Sequence, residues 1–320
     1  MDGFAPGWIS RVTSFEPPKN LEAPADWDEA VRFLAHHGLA GIAAYNLAYR
    51  LPAVRTPEAA KDLLLGFHQG VANDNVFKLM SLKGALAGVE APAILLDAAS
   101  FTDTLYPHIG FRAVPELRLL VREADRAAIE RALAEEGFLP AEPDEPDPDA
   151  PASVLFNTRF YLKLYTRLLP GGGEEGLFAR ASRAKVYGPG ALRLSGEDAL
   201  LVHVLSLARR GFAVPLVELV DLRELVRGEA GWKAGPGATL DPATVRARAR
   251  EVGADRALYA GLALTGHFFP EVEGRLPPFV PDLGVAVRSL LDAAVVNPAK
   301  DPGRDRQLRG LDKLVRLLVG

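Results

Sequence analysis

Cysteine is absent from this 320-residue chain, which excludes disulfides, thiolate nucleophiles and zinc sites built on sulfur. Long apolar runs are missing as well: no segment approaches the roughly 20 consecutive apolar residues of a membrane span. The opening two dozen residues carry acids and prolines and lack the apolar core of a signal peptide, so the expected location is cytoplasmic. A strong charge of one sign is lacking too. The formal net charge of −4 exerts no global pull on phosphate backbones or anionic lipids, and both nucleic acid and membrane are disfavoured as partners. Serine-hydrolase elbow, Walker loop, dinucleotide fingerprint and kinase signature are all missing, which removes most common enzyme classes.

What is present is material for a large core. With 48% hydrophobic and 24% charged residues, the chain can build two modules or one large one. Residues 26–52 read as two short helices broken at Gly38. Thr56 is an N-cap candidate with Pro57 at the first helical position. The helix it opens is expected to run to about residue 86, with Leu63, Leu64, Phe67, Val71, Val76, Phe77, Leu79 and Leu82 as a broad apolar face. A strand follows at 93–96, and a helix at 124–136 ends on Gly137.

The acidic, proline-rich run 141–151 has no apolar surface to bury and is expected to be a solvent-exposed loop or short linker. Runs 153–156 and 159–168 read as two strands of a hairpin around Asn157-Thr158. Gly171, Gly172 and Gly173 mark a turn; without a preceding strand and a following Lys-Ser or Lys-Thr they are no phosphate loop. Beyond Gly190 the reading is helical. Ser195 starts a capping-box-like helix, and further helices are expected at 214–226, 242–252, 254–268, 285–295 and 305–318. The last carries an apolar stripe, Leu308, Leu311, Leu314, Val315 and Leu318, suited to packing on the body or on a protein partner.

Six histidines offer bases or ligands, but no His-Glu-x-x-His or other ligand spacing occurs, so no metal site is expected from them. His68, His203 and His267 sit in apolar helical stretches and read as packed side chains. His108 lies in a loop.

The stretch 94–121, ILLDAASFTDTLYPHIGFRAVPELRLLV, carries the most information. Its landmarks are Ile94-Leu95-Leu96, Leu105-Tyr106-Pro107, Phe111-Arg112 and Leu119-Leu120-Val121-Arg122. With these landmarks the chain resembles the uncharacterised bacterial nucleotidyltransferases of the DNA polymerase β superfamily. In that family a strand ends in Leu-Lys-Gly, a helix closes with Leu-Tyr-Pro, and a second strand bears Asp-x-Asp before Leu-Leu-Val. The resemblance covers roughly residues 30–270; downstream, Asp221 matches a family aspartate and His203 the region of a family histidine.

The catalytic positions differ. Asp97-Ala98 stands where the family has Lys-Gly, Glu116-Leu117-Arg118 where it has Asp-x-Asp, and Lys163 where a third aspartate is expected. Nucleotidyl transfer needs divalent ions, and magnesium needs a carboxylate-rich pocket. One lysine and three aspartates in the family pattern become two acids and two bases here, a neutral set. An arginine can only donate hydrogen bonds, so Arg118 and Lys163 are expected to pair with Asp97 and Glu116 where metals would sit.

The resemblance implies an α+β, predominantly helical fold. A small mixed-sheet nucleotidyltransferase-like core at 91–170 would lie between N-terminal (1–90) and C-terminal (171–320) helical regions. The implied function is that of a catalytically degenerate relative, a binding, regulatory or scaffold protein with a protein partner and no expected cofactor or metal. A nucleotide would contact Arg112, His108 and Asp103, and the alternative for Arg112 is a salt bridge to Asp103 or Glu116. Two other readings stay open. One is an active enzyme transferring a nucleoside monophosphate, with magnesium, from a nucleoside triphosphate, using Asp97, Asp103 and Glu116 as relocated ligands. The other is a helical protein-interaction module unrelated to the family.

Overall fold

The computed structural model describes residues 6–142, 147–227 and 239–300; the helix expected at 305–318 lies outside the described residues. Its elements run α1 (Pro6–Val12), α2 (Trp27–His36), α3 (Ala40–Tyr45), α4 (Glu58–Leu86), β1 (Ala93–Leu95), α5 (Asp97–Phe101), β2 (Leu117–Val121) and α6 (Glu123–Glu135). They continue through β3 (Leu139–Pro140), β4 (Ser153–Phe156), β5 (Tyr161–Tyr165), α7 (Glu174–Arg180), β6 (Ser182–Arg183) and β7 (Ala191–Arg193). The helices α8 (Gly196–Arg209), α9 (Leu216–Arg227), α10 (Pro242–Glu251), α11 (Asp255–Phe268) and α12 (Val285–Leu291) follow. The fold is α+β, with helices flanking one mixed seven-stranded sheet in the order β3-β4-β5-β2-β1-β7-β6. The central strands β1 and β2 are antiparallel, and each has a parallel outer neighbour, β7 and β5 respectively.

Alternation along the central strands gives the sheet two differently occupied faces, because successive side chains point to opposite sides. Ala93, Leu95, Leu117, Leu119, Val121, Leu162 and Leu164 pack with Leu79, Leu82 and Leu86 of α4 and with Ile129 and Leu133 of α6. Ile94, Leu120 and Tyr165 face the other way and join the larger core built by α8, α9 and α11. Arg118 and Lys163 share the parity of Leu120 and Tyr165. The alternation therefore places both cations between the sheet and the C-terminal helices.

Several local signals act as the sequence implies. Gly38 (φ +69°) and Gly137 (φ +85°) take the left-handed conformation just past α2 and α6, where a Cβ would be penalised. Ser195 caps α8 by accepting a hydrogen bond from the Asp198 N–H. Others are corrected. Thr56 is not the cap of α4: the helix starts after Pro57, and the Thr56 hydroxyl instead donates to the Val54 carbonyl at 3.3 Å.

The apolar face expected for α4 is two faces. Leu64, Leu79 and Leu82 are buried, whereas Leu63, Phe67, Val76 and Phe77 point to solvent together with Met80. The inward face also carries Asn75 and Lys78. The Asn75 side chain donates to the carbonyls of Ile109 and Arg112 (2.7 and 2.6 Å) and accepts from the Val114 N–H (2.8 Å). Lys78 donates to the Val114 carbonyl at 2.6 Å. These bonds hold the loop before β2, so helix orientation is decided by polar contacts that apolar periodicity does not register. The helix also contains Gly66, Gly70 and Gly84, each about 1 kcal/mol less favourable than alanine in a helix interior.

The sheet also extends past residue 170, the expected limit of the α/β core. β7 pairs with β1 and β6 with β7, and strands of two or three residues are too short to give a periodic signal.

Candidate functional site

The site lies on the sheet face turned toward α8 and α9. Asp97 opens α5 directly after β1 with φ +45°. That left-handed region is sparsely populated by residues with a Cβ, aspartate being among the more tolerant. One oxygen of its carboxylate meets the Arg118 guanidinium, and the other lies 3.4 Å from His203 Nδ1.

Arg118 stands directly opposite Lys163 in the parallel pairing of β2 with β5. Its guanidinium donates to Asp97, to Asp149 and, at 3.0 Å through Nε, to the Tyr165 hydroxyl, and it stacks 4.5 Å above the Tyr165 ring. Glu116 Oε1 lies 3.6 Å from the same Nε. Lys163 Nζ reaches Glu116 at 2.6 Å and Asp147 at 2.8 Å, while the Tyr165 hydroxyl donates to Asp147 at 2.7 Å. Asp149 also takes Arg209 at 2.5 Å and the Ser206 hydroxyl at 2.9 Å.

A second set of charges continues the first through His203. The imidazole Nε2 lies 2.9 Å from the Glu218 carbonyl while Nδ1 faces Asp97; with an acceptor at each nitrogen the doubly protonated ring is favoured. Arg112 binds Asp221 through Nε (3.0 Å) and a terminal nitrogen (2.9 Å) and approaches Glu218 at 3.4 Å. Arg210 also contacts Glu218 at 3.4 Å, and the Tyr106 hydroxyl donates to Asp221 at 2.6 Å. Helical spacing explains the convergence. His203 and Ser206 on α8 and Arg210 just past its end follow at intervals of three and four residues, and Glu218 and Asp221 are one turn apart on α9.

Electrostatically the set is closed. Six carboxylates, from Asp97, Glu116, Asp147, Asp149, Glu218 and Asp221, face Arg112, Arg118, Lys163, Arg209, Arg210 and the imidazole of His203. Burial opposes ionisation of Asp97, but Arg118 and then His203 hold it well below the usual carboxylate range. Burial likewise opposes charge on Lys163, which its bonds to Asp147 and Glu116 outweigh, raising its pKa. Glu218 is lowered to about 2: Arg112, Arg210 and His203 overcome its desolvation. His203 is raised above 6.5, because Asp97, Asp221 and Glu218 outweigh burial.

Chemically this is a donor set already satisfied. The ligand atoms of His203, Glu218 and Asp221 lie within 4.8 Å of one another, a spacing that would suit a cation. Yet Arg112 contacts both acids and Arg210 contacts Glu218, so guanidinium groups already supply the positive charge. Both oxygens of five of the six carboxylates have donor partners, those of Asp147 being the Asp149 N–H on one side and Lys163 with Tyr165 on the other; Glu116 holds Lys163 on one oxygen and has the Arg118 Nε 3.6 Å from the other. A hard divalent ion wants unengaged oxygen ligands, and these residues do not fit one without breaking ion pairs.

The structure thus brings Asp97, Glu116, Arg118 and Lys163 into one cluster, with Ala98 buried in the sheet's other core. Arg112, His108 and Asp103 each have other partners. Asp103 pairs with Arg193. His108 accepts from the Gly110 N–H at 3.0 Å and lies against Tyr45 and His68, with ring centroids 6.1 and 4.7 Å away. Arg112 is 3% exposed and its partners are Asp221 and Glu218, not Asp103 or Glu116, which corrects the expected salt bridge.

The run 141–151 is also corrected. Although its described parts include exposed residues, Asp149 is buried and the Asp147 carboxylate is pulled into the cluster, because unpaired cations on the sheet face attract the nearest acids. Sequence reasoning missed these two, Ser206, Arg209 and Arg210; the signal available was an acidic run placed just before a hairpin whose second strand carries a buried lysine.

Neither a curated protein nor a solved structure matches the chain. A family described as "Uncharacterised nucleotidyltransferase" matches residues 23–270, a stretch that includes every residue of the cluster. The chain belongs to this uncharacterised nucleotidyltransferase family.

Proposed function

We propose that this protein is a catalytically degenerate member of its family and works by binding, as a regulator or scaffold toward a protein partner, without a resident divalent ion. One observation carries the reading: Arg118 and Lys163 face each other across β2 and β5, at the positions where the family resemblance places metal-binding aspartates. Phosphoryl transfer draws most of its rate from metal ions and positioned charge. A pocket whose acids are neutralised by its own cations has no call for them. The relocated-ligand alternative draws no support from the geometry, since Asp103 is engaged by Arg193 while Asp97 and Glu116 share Arg118.

The deciding experiment incubates the protein with labelled nucleoside triphosphates and magnesium or manganese, following pyrophosphate release and transfer of label to protein or small molecules. The expected result is neither. Release that disappears in Glu116→Ala, with the variant still folded, refutes the reading and restores the enzyme.

A further inference from the structure

The outer face of α4 is apolar, and among the described residues little covers it. Leu63, Phe67, Val76, Phe77 and Met80 are 57, 44, 48, 37 and 59% exposed; Phe77 alone of these is partly covered by ring contacts, from the Arg159 guanidinium 3.9 Å above its ring and from the Phe160 ring edge-on at 6.0 Å. These residues are not scattered. Read in sevens, Leu63, Gly70, Phe77 and Gly84 fall at one position and Ala59, Gly66, Asn73 and Met80 at a second, with intervals of three and four between them, and all eight are exposed. That is the spacing of a seam between two helices. Asp62, Gln69, Val76 and Lys83 flank it on one side and are exposed as well.

We infer that this face docks on the same face of a second copy of the chain, the two α4 helices running antiparallel about a two-fold axis at the level of residues 71–72. In that arrangement Phe77 of one copy lies opposite Gly66 of the other, Leu63 opposite Met80, and Gly70 opposite Asn73. Large side chains thus meet small ones, as interdigitated layers require. Among the described residues nothing requires glycine at positions 66 and 70. A Cβ at Gly66 or Gly70 would meet nothing within 4 Å, and at neither position is φ positive, so each weakens its helix without a local return.

Charge selects the occupant and the direction. Asp62 sits near the start of the seam and Lys83 near its end. An antiparallel pair of copies brings Asp62 of each against Lys83 of the other, twice by symmetry, whereas a parallel pair sets like against like. Asp74, the acid on the other flank, is already paired with Lys78 at 2.6 Å. The surface is therefore complementary to itself, which is the requirement for a closed two-fold interface.

Sedimentation velocity on the full chain across the micromolar range tests this, with thermal unfolding as the check that each variant is folded. The wild type is expected to be a dimer. Met80→Glu, placing a charge on the seam, weakens self-association by at least about tenfold, and so do Asp62→Lys and Lys83→Asp singly; the double reversal Asp62→Lys with Lys83→Asp restores it. Gly66→Ala with Gly70→Ala raises the melting temperature at concentrations where the chain is monomeric yet weakens the dimer. A wild type that stays monomeric overturns the inference, whether residues 301–320 or another protein then cover the face. A dimer indifferent to Met80→Glu, or a charge reversal that restores nothing, overturns it equally.

Discussion

Replacing Arg118 with methionine probes the cluster most directly, because one guanidinium holds two carboxylates of different origin. Asp97 follows β1 and Asp149 belongs to the acidic run, and both meet Arg118 where side-chain exposure is 12% for Arg118 and Asp97 and 3% for Asp149. Removing one partner of a buried ion pair costs about 3–5 kcal/mol. The lower end applies here, since Asp97 keeps His203 and Asp149 keeps Arg209 and Ser206. Loss of the stack over Tyr165 adds about 0.5–1 kcal/mol, for a total of about 4 kcal/mol. At roughly 2 °C per kcal/mol in a chain of this size, the melting temperature falls by roughly 8 °C.

Urea unfolding at pH 7 measures this, and two controls separate the mechanism from general damage. Arg118→Lys keeps the charge but cannot bridge both acids, so its loss is intermediate. Acid narrows the gap between wild type and Arg118→Met. The Asp97 carboxyl is lowered in the folded protein, so its contribution is present above the unfolded value of about 3.8 and is lost as pH falls through the folded one. A loss below about 1 kcal/mol, the range of exposed pairs, or a loss erased by moderate salt, refutes the claim that the cluster is a closed, buried set.

The same reasoning gives three shorter expectations. Arg118→Asp combined with Lys163→Asp rebuilds an acidic pocket, and its melting temperature rises on adding magnesium, whereas that of the wild type does not move; differential scanning fluorimetry with and without the ion reads both. His203 is raised above 6.5 when folded, so its contribution to stability is full below 6.5 and declines as pH rises through the folded value. Urea midpoints followed from pH 6 to alkaline conditions, in roughly unit steps, decline more steeply in the wild type than in His203→Gln. Tyr106→Phe leaves an Asp221 oxygen without its 2.6 Å donor and lowers unfolding free energy by about 1–3 kcal/mol in the same assay.

Much of the scaffold is legible in the chain because its signals are local. Gly38 and Gly137 end helices through a backbone conformation only glycine takes easily, and Ser195 caps α8 from three residues away. The alternation of Leu117, Leu119 and Val121 with Arg118 and Leu120 places a charge among apolar neighbours and thereby announces β2. What escapes is set by distant partners. Arg112 and Asp221 are 109 residues apart, so the loop arginine's destination depends on how α9 lies against β2. The orientation of α4 depends on Asn75 and Lys78 gripping a loop more than thirty residues downstream. Asp147 and Asp149 look solvated in a proline-rich acidic run, and their burial follows only once Lys163 and Arg118 are known to share a face.

The parallel register of β2 and β5 joins these observations. It puts Arg118 beside Lys163, two like charges on neighbouring strands, a juxtaposition that is repulsive by itself. Relief comes from four acids reached through three different connections: Asp97 from the end of β1, Glu116 from the loop before β2, and Asp147 and Asp149 from the run before β4. Each acid that answers the two cations ties its own segment to the sheet, and Arg209 and His203 extend the same ties to α8. Desolvation makes such a network a poor source of net stability but a demanding specification of arrangement. A metal centre of the same geometry must exchange ligands to turn over. Under the proposed function the carboxylates stay engaged by the protein's own cations, and the cluster serves as a latch between sheet and helices.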